Sequence, residues 1–386
     1  MADNSYLFTS ESVTEGHPDK VADRVSDSIL DAYLKEDNES LVACETMVTT
    51  DRLMLAGEVH SKAKIDSQIE GIVRGVIADI GYTHESLGFC DRTFEFSNFL
   101  HSQSGDIRQG VERGSDIGAG DQGLMFGYAC RETSSYMPLA IDLSHRLSLA
   151  LTEARKTQKV NWLRPDGKTQ VTVAYDADDK AVKIDTVVMS TQHSEEVSLD
   201  DLKGFLREQV ILPTLPNDLV DNSLKLHINP TGRFVVGGPH GDCGLTGRKI
   251  IVDTYGGYAP HGGGAFSGKD PTKVDRSAAY ATRYIAKNVV ASGIADKFQI
   301  QLAYAIGVAE PVSIHFEDFG TLKVDRSKVK DMIKELFPLK PLDIINKLGL
   351  RAPIYFATSA YGHFGRDHSF PWEKINLADD VKAYFS

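Results

Sequence analysis

Val21, Val25, Ile29 and Tyr33 recur four residues apart, and the polar residues between them leave a single apolar stripe. The spacing predicts a helix over 20–35, opened by Pro18, whose missing N–H costs nothing in a first turn. The same period predicts helices over 67–80, 139–156, 199–210, 275–292 and 327–336. Alternating or short β-branched runs predict strands over 41–49, 53–59, 123–129, 170–175, 181–190, 249–254, 298–305 and 312–317. Residues 170–175, the polar Asp176-Ala177-Asp178-Asp179 and 181–189 read as a hairpin, so antiparallel pairing and an α+β arrangement are expected over a doubly wound sheet. No internal repeat stands out. Asp19, Asp23, Asp27 and Asp31 share one face of the first helix and are expected to be a solvated row, with only Asp19 kept as a metal ligand.

Composition narrows the partners. The 386 residues are 41% hydrophobic and 25% charged, ordinary for a chain of two or three globular domains. The net charge of −12 argues against nucleic acid or an anionic membrane as the main partner. An anionic substrate would then need cations gathered locally. Cys44, Cys90, Cys130 and Cys243 form no CxxC pair, so neither a zinc site nor a redox motif is indicated. With no basic leader and no apolar run long enough for a bilayer, a cytoplasmic location is expected.

Such cations occur in glycine-bearing stretches at 102–120 and 230–247 and beyond them, which read as boundaries or functional loops. Glu15-Gly16-His17-Pro18-Asp19-Lys20 sets an imidazole, a carboxylate and an ammonium at a helix start, a set suited to a phosphate-bearing substrate and a hard metal. Gly118-Ala119-Gly120-Asp121-Gln122-Gly123 fits a dinucleotide fingerprint, yet a loop precedes it and a strand follows, the reverse of what that fingerprint needs. The run from Gly263 to Lys269 fits most of a P-loop until Asp270 and Pro271 break it. What survives is glycine amides with Lys269 and Lys273 beside them, able to cradle an anion. Arg233, Arg248 and Lys249 add cations, Asp242 an acid between them, and Asp166 with Lys168 repeat the theme in what reads equally as a type I turn.

Gly16-His17-Pro18-Asp19-Lys20, the stretch from Gly118 to Tyr128 and the stretch from Gly262 to Asp270 closely resemble the hallmark motifs of the S-adenosylmethionine synthetases, and the resemblance runs from Phe8 to Trp372. It implies three similar α+β units with approximate threefold symmetry, their flat sheets packed in a tight dimer. The expected order is an N-terminal unit over 1–102, a lid and connection over 103–120, a central unit over 121–235 and a C-terminal unit over 236–386. A homodimer with shared active sites, paired into a dimer of dimers, is also implied. The activity implied is attack of the L-methionine sulfur on ribose C5′ of ATP, with the triphosphate then cut to pyrophosphate and phosphate.

By the same resemblance His17 lies near the leaving oxygen, and Lys20, Lys168, Arg248, Lys249 and Lys269 hold the polyphosphate. Asp121, Asp166, Arg233, Phe234, Asp242 and Ala265 complete the ATP site, while Glu58, Gln103, Asp242 and Lys273 contact methionine. His17, Lys168, Arg248 and Lys269 are the expected catalytic set. Asp19 and Asp275 are implied Mg²⁺ ligands and Glu45 a K⁺ ligand. A kinase would share the metal and lysines, but no complete P-loop or hydroxyl-activating Asp motif is present. A non-catalytic homologue would have lost ligands, and none of the expected ones is replaced.

Overall fold

The computed structural model describes residues 5–102, 112–113, 116–366 and 370–386. The first unit runs β1 (Tyr6–Val13), α1 (Pro18–Glu36), β2 (Leu41–Thr49), β3 (Arg52–His60), α2 (Ile69–Ile80) and β4 (Glu95–Ser102). The second repeats that order with β5 (Gly123–Cys130), α3 (Leu139–Lys156), β6 (Leu163–Tyr175), β7 (Ala181–His193), α4 (Leu199–Phe205) and β8 (Lys225–Ile228). The third has β9 (Gly244–Leu245), α5 (Val274–Ala291), β10 (Lys297–Tyr304), β11 (Ser313–Glu317) and α6 (Arg326–Leu336). The repeat invisible in the residues is therefore plain in the topology: three similar α+β units.

The leading strand of each unit lies in the sheet of another. The sheets are ordered β9-β2-β3-β4, β1-β6-β7-β8 and β5-β10-β11. Strand β1 pairs antiparallel with β6 from Tyr6↔Tyr175 to Val13↔Lys168. Strand β5 pairs antiparallel with β10, and β9 with β2 at Gly244↔Val48 and Leu245↔Met47. The exchange closes on itself. Antiparallel hairpins form the heart of each sheet, as expected, but β4 and β8 join β3 and β7 in parallel after a helical crossover.

Helix α1 packs on the first sheet because its apolar stripe, Val21, Val25, Ile29, Leu30, Tyr33 and Leu34, is buried. Full burial of each such side chain is worth roughly 1.5–3 kcal/mol. A second core lies between α3 and the hairpin of β6 and β7, around Leu143, Leu147, Val171, Val187 and Met189.

Several expectations change. Residues 249–254 are not a strand; Ile250–Asp253 is a one-turn helix. The β-branched run favours a strand, but tertiary bonding overrides it: the Asp253 carboxylate is fixed by Lys20. Helix α4 stops at Phe205 and gives way to a π-helical stretch, Leu206–Ile211. Strand β6 begins at Leu163, so Asp166 and Lys168 lie in a strand rather than a turn, with a register shift between Leu163 and Gly167. The bulge re-aims side chains locally. Asp166 is buried and Lys168 exposed.

The acidic row of α1 is not solvated either. Asp19, Asp23 and Asp27 are buried, and the row accepts backbone N–H groups from C-terminal loops. Asp19 takes Leu245 at 3.1 Å, Asp23 takes Gly247 at 2.8 Å, Asp27 takes Gly268 at 2.8 Å, and Asp31 takes Tyr355 at 3.0 Å and Phe356 at 2.8 Å. Carboxylates at helical spacing form a rail on which those loops dock, since a charged acceptor binds N–H donors tightly. Burial nonetheless raises Asp31 to about 6.

Candidate active site

His17 sits where β1 turns into α1. Gly16 is required there, because a Cβ would lie 2.4 Å from the Pro165 backbone. Tyr82 Oη donates to the Gly16 carbonyl at 2.5 Å. His17 is the N-cap of α1, its Nδ1 accepting the Asp19 N–H at 3.2 Å. A neutral ring that accepts at Nδ1 carries its proton on Nε2, which leaves an N–H donor. Neutrality is secured by burial first, then by the charges of Lys249 and Lys168, which together hold the imidazole down at about 3. The ring is therefore a hydrogen-bond donor that stays uncharged through physiological pH.

Two carboxylate–cation groups are built with residues of the third unit, the first of them on Asp19 of α1. In the first, Asp19 Oδ2 is 2.6 Å from Lys249 Nζ and Oδ1 is 3.6 Å from Arg248. Burial would raise the Asp19 carboxyl, but the bonds from Lys249 and Leu245 N–H more than offset it, leaving it below its ordinary value. In the second, Lys269 Nζ is 2.7 Å from Asp275 Oδ2, and Lys273 pairs with Asp270. Asp270 itself accepts the Val42 N–H at 2.7 Å. The segment carrying Arg248 and Lys249 passes close to Ala265 at Gly247, whose φ is +77° and where a Cβ would lie 2.5 Å from the Ala265 side chain. Each aspartate thus already faces a cation and offers hard oxygens.

A third group of expected residues lies at and after the edge of the second sheet, where Asp166 bonds the Gly238 backbone. Asp166 Oδ2 accepts the Gly238 N–H at 2.8 Å, its Oδ1 is buried without a partner, and burial raises its carboxyl to about 6. Phe234 exchanges bonds with His193: its N–H donates to Nε2 at 3.0 Å, and its carbonyl accepts the His193 N–H at 3.0 Å. Arg233 is exposed and pairs with Glu195. Asp242 is exposed, its Oδ1 accepting the Cys243 N–H at 2.8 Å.

Not every expected residue joins these groups. Asp121 is exposed and accepts its neighbour Gln122 N–H at 2.7 Å. Glu58, 3.7 Å from His101, and Glu45 project from the outward face of the first sheet. Partial burial raises the Glu45 carboxyl, with Lys269 opposing. Gln103 lies outside the described residues. Lys20 is fully buried between Asp23 and Asp253 rather than exposed. The sequence pattern puts Asp23 and Asp27 in a solvent-facing row, and Asp253 and Arg276, which bond to Lys20 beside that row and to Asp27 within it, carry no local signal. Arg276 and Asp27 are joined at 2.7 and 3.0 Å with neither side chain exposed.

Comparison with protein-family models decides what this arrangement belongs to. Residues 5–105 match the N-terminal domain of S-adenosylmethionine synthetase, 116–234 its central domain and 236–374 its C-terminal domain. The chain belongs to the S-adenosylmethionine synthetase family. It is a methionine adenosyltransferase, making S-adenosylmethionine from ATP and methionine. The element order around the first fingerprint is the one expected for a decoy, since Gly123–Cys130 after it is a strand, and no helix opens at Lys269 in the second, the next beginning at Val274. Among the described residues, no helix is long and apolar enough to cross a membrane.

Proposed function

We propose that the three groups around His17 carry out the synthetase reaction with the division of labour the motifs imply. The methionine sulfur attacks C5′ of ATP, the C5′–O bond breaks, and the electron pair leaves with the triphosphate, which is then hydrolysed to pyrophosphate and phosphate. A thioether needs no general base, so catalysis rests on alignment and on stabilising the departing oxygen. His17 Nε2–H donates to that oxygen. Lys168, Arg248, Lys249 and Lys269 neutralise the polyphosphate, Asp166, Phe234, Arg233 and Ala265 receive the nucleoside, and Asp242 with Lys273 faces methionine. The observation that carries this reading is a neutral, donor-bearing imidazole beside the Asp19–Lys249 pair and within the field of Lys168, a cationic setting that suits a polyanion.

Asp19 and Asp275 would hold Mg²⁺; their donor chemistry fits, each being a hard carboxylate already set against a cation. Among the described residues, no three His, Cys, Asp or Glu side chains cluster to hold a metal by themselves, which suits an ion that arrives with phosphate oxygens. When bound, such an ion supplies Lewis-acid stabilisation of phosphate charge. Glu45 is proposed for K⁺.

The outward face of the first sheet supports the dimer. Met47, Met54, Leu245 and Phe99 are all exposed there, Phe99 by 58%, with Glu58 on the same face. An apolar patch of this kind marks an interaction surface. A second copy covering it would bring Glu58 to a shared active site, and two such dimers would pair. The units follow the divisions 1–102, 103–120, 121–235 and 236–386, in a cytoplasmic enzyme. Incubation with ATP, L-methionine, Mg²⁺ and K⁺ should yield the sulfonium product with phosphate and pyrophosphate. Release of ADP instead would overturn the reading in favour of a kinase.

A further inference from the structure

Lys20 is the third residue of α1, immediately after Asp19, yet its side chain has no exposed surface. Its ammonium is 2.9 Å from Asp23 Oδ2 and also bonds Asp253 Oδ1. A charge so placed needs partners, because an unpaired ammonium in the interior is strongly disfavoured. Both partners lead to one segment. Asp23 Oδ1 accepts the Gly247 N–H at 2.8 Å, and Asp253 closes the one-turn helix that follows Lys249, its N–H donating to the Lys249 carbonyl at 2.9 Å. Asp19 adds a tether at Leu245. The stretch 245–253 is thereby fixed on both sides of Arg248, which is half-exposed, and Lys249, which is partly buried against Asp19.

We infer that Lys20 is a positioning residue: held between Asp23 and Asp253, it sets where the 245–253 segment presents Arg248 and Lys249, and it does not itself contact the polyphosphate. The inference rests on the proposal that Arg248 and Lys249 grip polyphosphate. Its physical content is charge balance. Two buried carboxylates share one ammonium, so removing the ammonium leaves like charges facing each other and drives the loop off the helix. Removing one carboxylate as well restores the balance. A direct phosphate ligand could not be replaced in that way.

The test measures tripolyphosphate affinity by calorimetry and amide hydrogen exchange at Leu245 and Gly247. Lys20→Met should weaken affinity by roughly 10- to 10²-fold and speed exchange at both amides. Adding Asp253→Asn should recover most of both losses. The cost of Lys20→Met should also shrink in an Arg248→Ala background, since residues acting through one another are not additive. An affinity loss that Asp253→Asn does not relieve, with exchange unchanged and full additivity with Arg248→Ala, would overturn the inference and make Lys20 a ligand. Should Lys20→Met fail to fold, Asp253→Asn alone decides. It leaves the ammonium in place but frees one tether, so affinity should fall several-fold, and unchanged affinity overturns the inference. If the wild-type protein bound no tripolyphosphate, the polyphosphate reading would fall, while exchange at Gly247 would still report whether Lys20 fixes the segment.

Discussion

His17 caps α1, and its proposed second duty, donating to the departing oxygen, can be divided from the first by one substitution. Asn is as good an N-cap as any residue, so His17→Asn keeps an acceptor for the Asp19 N–H and should change stability at neutral pH by less than about 0.5 kcal/mol. It lacks the ring Nε2–H. Losing one preorganised donor at a departing oxygen costs about 10²-fold or more, near 2.7 kcal/mol, so sulfonium formation should slow by that factor. Hydrolysis of added triphosphate should suffer less, because that step breaks a different bond. The ring also has a signature in pH. Its native value of about 3 lies below its ordinary 6.5, so the unfolded chain binds a proton that the folded protein refuses. The stability this gives is present above about 6.5 and drains away as pH falls toward 3. Between pH 7 and pH 5 the loss amounts to about 2 kcal/mol, and His17→Asn should flatten the acid limb by that much. Denaturant unfolding at the two pH values, with both half-reactions assayed, covers every part. Equal loss in both half-reactions, or an acid limb as steep as wild type, would refute the assignment.

Asp19→Asn and Asp275→Asn should each fold and lose turnover, because the amide keeps shape but removes the charge that would offset Mg²⁺; normal activity at ordinary Mg²⁺ would remove either from the ligand set. Asp166 is raised to about 6 by burial, so its ionised form costs stability that is present below about 3.8 and lost as pH rises through 6. Asp166→Asn should therefore stabilise the fold more at pH 8 than at pH 5, by about 1 kcal/mol in unfolding free energy; an equal gain at both values would show that the group is not held protonated by burial. Inactive Glu58→Ala and Lys168→Ala chains, refolded together, should recover up to roughly a quarter of wild-type activity if each site draws on two chains. Heterodimers without activity would place both residues in one chain.

Legibility differed sharply between local and distant determinants. Helix Leu139–Lys156 and strand Leu41–Thr49 lie where periodicity put them, because each carries its own apolar pattern over a full element. Strand Gly244–Leu245 has no such pattern; two residues become a strand only because Met47 and Val48 offer their backbone. Glu95–Ser102 was missed for a related reason, since its outward Phe99 is exposed and breaks the alternation. Among site residues, the motifs exposed chemistry but not burial. Nothing local distinguishes Lys20, enclosed between Asp23 and Asp253, from Lys168, exposed on a strand, because the partner at 253 is contributed by another unit. The acidic row failed in the same way: its period was correct, but the donors that desolvate it lie more than two hundred positions away.

The strand exchange explains why the site forms where it does. Strand β1 ends at Val13, opposite Lys168 of the second sheet, and the chain then reaches Gly16 and His17 beside Pro165. Strand β9 ends at Leu245, opposite Met47 of the first sheet, and the chain then reaches Arg248 and Lys249 beside Asp19. Each crossover carries the loop after a leading strand onto a neighbouring unit, so the first unit delivers the imidazole to the second and the third delivers its cations to the first. Separate closed units would keep these loops on their own sheets, and no polyanion could meet them together. The acid rail on α1 then holds the imported loops by their backbone N–H groups, leaving the Arg248 side chain half-exposed and those of Lys249 and Lys269 partly so. That division of labour also bears on the charge problem. Within a net charge of −12, Asp23, Asp27 and Asp253 are buried against Lys20 and Arg276 and face inward, while Arg248 is the cation left half-exposed beside Asp19.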